Sequence, residues 1–246
     1  DGSGDFTFNR GSVGTRINAQ GLIENVASGQ SRLDYPLIDG VQKGCPHHIL
    51  EPQRLQLIQY SEDFNNAAWS KNTGATINSN QIISPDGTLS ADELIVSTAA
   101  AGIYDGQSGS GTYNFSVFAK YKDIQYLRMR STGGYAYFDL TNGNYSGLIG
   151  LSNVISEDYG NGWYRFSITT NLTNSLVQFF LSETNTGNPT GTGSAYLWGC
   201  QFEEGSYGTS YIPNYGNAAG VTRSAETATG AGNSTTFNDS EGVLMA

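Results

Sequence analysis

Apolar and polar residues alternate along much of this chain with a period of two, the spacing of a strand that buries one face. The pattern is plainest in the middle. Residues 112–121, TYNFSVFAKY, put Tyr113, Phe115, Val117 and Ala119 on one side and Asn114, Ser116, Phe118 and Lys120 on the other. Residues 126–130, YLRMR, turn Leu127 and Met129 inward and Tyr126, Arg128 and Arg130 outward. Residues 135–140, YAYFDL, turn Phe138 and Leu140 inward and Tyr135, Tyr137 and Asp139 outward. Further strands are expected at 55–60, around Ile77 and Ile82, and at 91–96, 163–169 and 176–181, with turns such as Pro85-Asp86-Gly87 between them. Residues 61–69 read as a loop or a single helical turn capped by Ser61. Residues 196–202, YLWGCQF, read as a closing strand with Tyr196, Trp198 and Cys200 on one side and Leu197 and Phe202 near the other. Short strands at this spacing, joined by short Gly- and Asn-rich turns, predict an all-β fold, an antiparallel β-sandwich.

The texture changes at both ends. Residues 1–53 form an N-terminal extension in which 15–18 and 22–26 flank a turn as a hairpin. Residues 54–215 are the sandwich module. Residues 216–246 are a Gly-, Ala-, Thr- and Asn-rich linker, with one short strand at Val221-Thr222-Arg223 and the start of a following domain near 237–245. Neither extension is long enough for a core of its own, so they are expected to pack together or against a missing domain. The chain reads as a module cut from a longer protein.

Composition narrows the partners. Charged residues are only 14% of the 246, against 32 Gly and 15 Tyr, and the net charge of −10 opposes both nucleic acid and an anionic membrane. No run approaches the roughly 18 apolar residues of a membrane-crossing helix. Cys45 and Cys200 read as two buried thiols, and neither belongs to a Cys-x-x-Cys pair.

Catalytic chemistry finds little support. His47 and His48 are adjacent, so on an extended segment they point opposite ways and cannot serve one site. Carboxylate pairs for glycoside hydrolysis would have to come from Glu62, Asp63, Asp139, Glu157, Asp158 or Glu203. Sugar binding fits better, because Tyr rings stack on pyranose C–H faces and an Arg fork holds a carboxylate or sulfate at two points. The outward set Lys120, Tyr126, Arg128, Arg130, Tyr135 and Tyr137 supplies both features on what read as adjacent strands. With only 12 basic residues in the chain, Lys120, Lys122, Arg128 and Arg130 are a local concentration of positive charge. This points to a non-enzymatic module for an anionic, sulfated or uronic, polysaccharide. Trp163 and Trp198 are expected in the core, while Trp69 and Tyr104, on loops, would rim a groove. A competing reading makes the Tyr-rich face a subunit contact of an oligomeric structural or adhesive module.

An ordered set of motifs carries a resemblance: RGSVGTR at 10–16, GLIENV at 21–26, LEPQR at 50–54, YSEDFNNAAW at 60–69, FSVFAK at 115–120, NGWYR at 161–165, WGCQFEEG at 198–205 and TSYIP at 209–213. Together they resemble a β-sandwich module of marine bacterial extracellular proteins, polysaccharide-degrading enzymes among them. The same type of module recurs in phage tail-fibre and head-spike proteins. The likeness covers most of the chain and implies a jelly roll like those of carbohydrate-binding modules, an extracellular location, and a concanavalin-like domain beginning after Ser234. It implies no required cofactor. Jelly-roll carbohydrate modules often hold a structural calcium on the last strand, but the matching positions here are Trp198 and Gly199. Glu62, Asp63 and Glu203 are the remaining acids for such an ion.

Overall fold

Inward-facing apolar residues of two antiparallel sheets make one core in the computed structural model, which describes residues 7–107, 109–172 and 175–230. The sheet strands are β1 (Ser70–Lys71), β2 (Ala75–Ile83), β3 (Leu89–Val96), β4 (Gly102–Gln107), β5 (Gly111–Tyr121), β6 (Tyr126–Ser131), β7 (Gly134–Asp139), β8 (Tyr145–Ile149), β9 (Asn153–Asp158), β10 (Trp163–Leu172), β11 (Ser175–Ser182) and β12 (Gly193–Glu204). The first six-stranded sheet runs β2-β3-β12-β5-β10-β9 and the second β8-β7-β6-β11-β4-β1. Between them Phe115, Val117, Phe166, Ile168 and Leu197 meet Leu127, Met129, Phe138, Val177 and Phe179. The rings of Phe138 and Phe166 stack across the layers at 4.5 Å.

The fold agrees with the predicted all-β sandwich, and the differences in detail have local causes. Residues β4, β8 and β9 escape the alternation pattern because GIYDGQ, YSGLI and NVISED are interrupted by glycine or carry mixed faces at the sheet margins. Regular pairing near residue 55 is confined to Arg54–Gln56. The Ser61 hydroxyl does not cap a turn; it bonds Tyr211 Oη at 2.8 Å and accepts from the Asn214 N–H at 2.9 Å. Cys200 is buried as expected, but Cys45 is exposed, on a turn-rich segment that gives its thiol no apolar cover. Cys200 also lies on the core side together with Leu197 and Phe202 rather than with Trp198. Gly199, at φ 60°, is the cause: the β5–β12 register shifts between Ser116 and Phe118, opposite this point.

The outer face of the first sheet is covered. Phe118, Trp163 and Trp198 project from it and are buried with Ile23 and Tyr211 in a second apolar cluster. Ile23 comes from the N-terminal hairpin, in which Gly14–Ile17 pairs with Ile23–Val26. The two ends of the chain meet beside it: Val221–Arg223 pairs with Arg54–Gln56, and Thr227–Thr229 with Thr7–Asn9. The expected strand at 237–245 lies outside the described residues.

Glu226, between those two C-terminal strands, holds this junction. Its carboxylate accepts from Arg10 Nη1 at 2.7 Å, from Arg32 Nε at 2.6 Å and from the Glu51 N–H at 3.0 Å, and also from Arg32 Nη2. Glu51 adds ion pairs to Arg32 at 2.7 Å and Arg223 at 2.9 Å. Burial pushes the Glu226 carboxyl up, but the hydrogen bonds from Arg32 and Arg10 outweigh it and hold the group below its ordinary value. A depressed carboxylate adds stability above the ordinary glutamate range and loses it as pH falls through the folded value. Glu226→Ala, which takes from buried Arg10 its carboxylate and leaves buried Arg32 with Glu51 alone, is expected to cost about 3–5 kcal/mol in denaturant unfolding at pH 7, with a smaller penalty in acid. An unchanged midpoint would refute the role given to this residue.

Candidate functional site

Pairing on the second sheet gathers most of the expected site. On the outer face Arg128 lies opposite Tyr137, Arg130 opposite Tyr135, and Tyr126 opposite Asp139. On the other flank β11 sets Phe180 beside Arg128 and Gln178 beside Arg130, and β4 sets Tyr104 beside Gln178. The intervening residues Leu127, Met129, Ala136 and Phe179 face the core, which fixes this parity.

The guanidinium of Arg128 rests over the Tyr135 ring, 3.9 Å from its centroid, with Tyr137 at 5.6 Å and Phe180 at 5.9 Å. Arg128 and Gln178 are each only 8% exposed. The Arg128 Nε and Gln178 Oε1 atoms have no hydrogen-bond partner. Arg130 is exposed, and Tyr104, Tyr126 and Tyr135 are half-buried. Neither Arg128 nor Arg130 forms an ion pair among the described residues. Asp139, opposite Tyr126 on this face, is committed to the Thr141 N–H at 2.9 Å, the Thr141 hydroxyl at 2.6 Å and the Gln125 amide at 2.7 Å. The result is a strip of aromatic surface carrying positive charge.

Tyr137 has a different place from the one its alternation suggests. It is fully buried, and its hydroxyl donates to the Gly187 carbonyl at 2.8 Å, so the connection between β11 and β12 lies over the ring. Burial pushes its phenol up, opposed by the neighbouring Arg128. It supports Arg128 and Tyr135 from below and offers no surface to a ligand. Gln178, Phe180 and Tyr104 are the members that sequence reasoning missed. The alternation of 176–181 already marks Gln178 and Phe180 as outward, whereas the glycines around Tyr104 made its strand look like a loop.

Lys120 does not join this set. It sits on β5 in the first sheet, opposite Trp163 and Tyr196, because residues 122–125 carry the chain across to the second sheet. Strands consecutive in sequence are thus on opposite layers, and Lys120 faces outward on the other side of the sandwich. Lys122 is spent on an ion pair with Glu93. Trp69 is no groove rim either: it is 1% exposed, packs on Phe64 and Phe179, and donates its indole N–H to the Tyr60 carbonyl at 2.9 Å. Trp163 and Trp198 are buried, as their motifs suggest.

The candidate acids are dispersed. Glu203 is fully buried and accepts from the Gln201 amide, the Thr209 N–H and the Thr209 hydroxyl, each at 2.7 Å. Glu157 and Asp158 end the marginal strand β9. Glu62 and Asp63 border a cleft of about 530 Å³ with Asp92, Tyr60 and Tyr215. Among the described residues no three His, Cys, Asp or Glu side chains converge as a metal cluster. Burial pushes the Glu62 carboxyl up to about 7, although the Tyr211 hydroxyl donates to it at 2.9 Å. Burial likewise pushes Asp92 up to about 6 against the N–H groups of Asn80 and Phe64 at 2.9 Å.

No protein-family model matches this chain, and no curated protein matches it. Among solved structures it is similar to the CBM22-1 and GH10 modules of a Clostridium thermocellum endo-1,4-beta-D-xylanase complexed with xylohexaose, at 14% identity and a TM-score of 0.39, over 67% of this chain and 30% of that one. It is similar to the enzymatically active domain of Bacteriophage CBA120 tailspike protein 4, at 15% identity and a TM-score of 0.36, over 60% of this chain and 21% of that one. It is also similar to the CBM22-1 xylan-binding domain of a Paenibacillus barcinonensis protein, at 9% identity and a TM-score of 0.36, over 61% of this chain and 90% of that one.

A carboxyl whose folded value lies above its unfolded one stabilises the fold when protonated and loses that contribution as pH rises between the two. For Glu62 the window runs from its ordinary 4.5 to about 7. Glu62→Gln keeps an acceptor for Tyr211 and cannot ionise, so it is expected to melt higher than the native protein at pH 8 and equally at pH 4. A constant difference across that range, read by thermal denaturation, would contradict the burial argument.

Proposed function

We propose that this chain is a non-catalytic carbohydrate-binding module that takes an anionic polysaccharide along the outer face of its second sheet. The observation that carries the reading is Arg128, held against Tyr135 with exposed Arg130 alongside and no ion pair to either charge among the described residues. A sugar ring laid on Tyr126 and Tyr135 would find cationic donors for a sulfate or uronate and the Gln178 amide for a hydroxyl. Asp139, the acid opposite Tyr126 on this face, has its oxygens taken by protein donors, which supports binding without bond cleavage. The resembling modules support an extracellular setting in which the module is fused to a further domain and presents a glycan to it.

A second reading has one observation in its favour. The marginal strand β8, paired only with β7 among the described residues, exposes Tyr145, Leu148 and Ile149, and an edge strand with apolar side chains can join a copy of itself in an oligomeric, fibre-like assembly.

A glycan array spanning agar, carrageenan, alginate, ulvan and fucan separates the readings. Retention of the sulfated or uronic members over neutral agarose is expected, with Arg130→Ala and Tyr135→Ala each weakening it about tenfold or more, the scale of a lost charge-assisted bond or stacking contact. A stable oligomer in light scattering together with no glycan retention would replace this reading with the second one. Reducing-end release from any glycan of the panel would overturn the non-catalytic assignment.

A further inference from the structure

The side chain that the second sheet leaves out stands in a cavity of its own. Lys120 lines a pocket of about 400 Å³ with Trp163, Tyr159, Asn161, Gln20 and Gln42. That volume falls within the range of about 300–1,000 Å³ typical of small-molecule sites. Its floor is the first sheet and its far wall is the N-terminal extension. The wall is held close by two glycine turns that meet backbone to backbone: a Cβ on Gly40 would stand 2.6 Å from the Gly160 Cα.

Like the face of the second sheet, the pocket carries positive charge without an answering acid. No Asp or Glu lines the pocket, and Lys120 is its one charged residue, in a protein of net charge −10. The half-buried Lys120 residue makes no side-chain hydrogen bond or ion pair among the described residues, although Lys122, two positions on, is paired with Glu93. Its stem runs along Gly162, where a Cβ would stand 3.5 Å from Lys120 Cε. Asp158, the nearest acid in sequence to the Gly160 turn, is committed to the Gly160 N–H at 2.8 Å. The exposed side-chain amides of Gln20 and Asn161 have no protein partner among the described residues, and that of Gln42 donates at 3.1 Å to the Gly44 carbonyl. The Trp163 indole is fixed by its bond to the Ile83 carbonyl at 3.1 Å. A partly desolvated ammonium without a counter-charge is unfavourable alone and becomes favourable once an anion is supplied.

We propose that this pocket is a second binding site, for a single acidic sugar unit whose carboxylate or sulfate pairs with Lys120 while its hydroxyls bond the amides of Gln20, Gln42 and Asn161. It shares a ligand class with the sheet face but no residue, so either can fail alone. The N-terminal extension then does more than cover apolar surface: it supplies half of a site.

The test is an amide-resolved NMR titration of the whole chain with glucuronic acid, N-acetylglucosamine 6-sulfate and glucose. Both acids are expected to shift the amides of Gln20, Lys120, Asn161 and Gly162, and glucose to leave them still. Lys120→Gln is expected to weaken the response about tenfold or more, and Lys120→Arg to keep it. Arg130→Ala and Tyr135→Ala are expected to change nothing at these amides. In the unmodified protein the acid response is expected to weaken as salt is raised, which holds the proposal to account even where a variant fails to fold. Silent amides, an equal response to glucose, or full binding by a folded Lys120→Gln would overturn it.

Discussion

The Glu226 carboxylate, buried among guanidiniums, is the constraint on which the arrangement of the rest depends. A buried ion pair adds little net stability compared with an apolar one, but it tolerates no vacancy and no wrong partner. Arg10 and Arg32 come from the start of the chain, Glu51 from the entry to the sandwich, and Arg223 and Glu226 from its far end. Satisfying all of them at once fixes how the N-terminal hairpin and the strands at Val221–Arg223 and Thr227–Thr229 lie together. Ile23 then sits over Phe118, Trp163 and Trp198, and the turn at Gly40 is set against Gly160. Apolar burial supplies the driving force here, and the charge network supplies the address.

That division of labour explains how far the sequence could be read. Alternation in 112–121, 126–130 and 135–140 locates strands and their inward faces, because a period of two is a local property. Which sheet a strand joins is not local. Lys120 and Arg128 are close in sequence and correctly read as outward, yet they lie on opposite outer faces, since the residues between them cross from one layer to the other. Tyr137 shows a related limit. Its parity is right, but a connection between strands far along the chain lies over it, and no pattern within 135–140 records that cover. Trp69 failed for the same reason: a loop residue by its neighbours, it closes the end of the core.

The two outer faces of the sandwich therefore have distinct characters. On the outer face of the second sheet Arg130 stays exposed beside half-buried Tyr126 and Tyr135, while Arg128 packs against aromatic rings, which lowers the cost of holding a guanidinium without an anion. The extension covers the outer face of the first sheet and leaves the Lys120 recess between them. Both keep the few uncompensated cations of an acidic protein away from its carboxylates, and neither Arg130 nor Lys120 is neutralised from within.

Gly199 has a reach beyond its own turn. Were β12 regular throughout, the residues in step with Ala195 and Leu197 would be Gln201 and Glu203, and the apolar interior would receive an amide and a carboxylate. The left-handed glycine works as a phase slip: it resets the count once, so that one strand reads in two frames. Gln201 and Glu203 thereby land outside the core, where Ile212 N–H and Thr209 satisfy them and the chain leaving β12 is guided onto the first sheet. A single residue without a side chain thus decides where the polar half of the closing strand can exist.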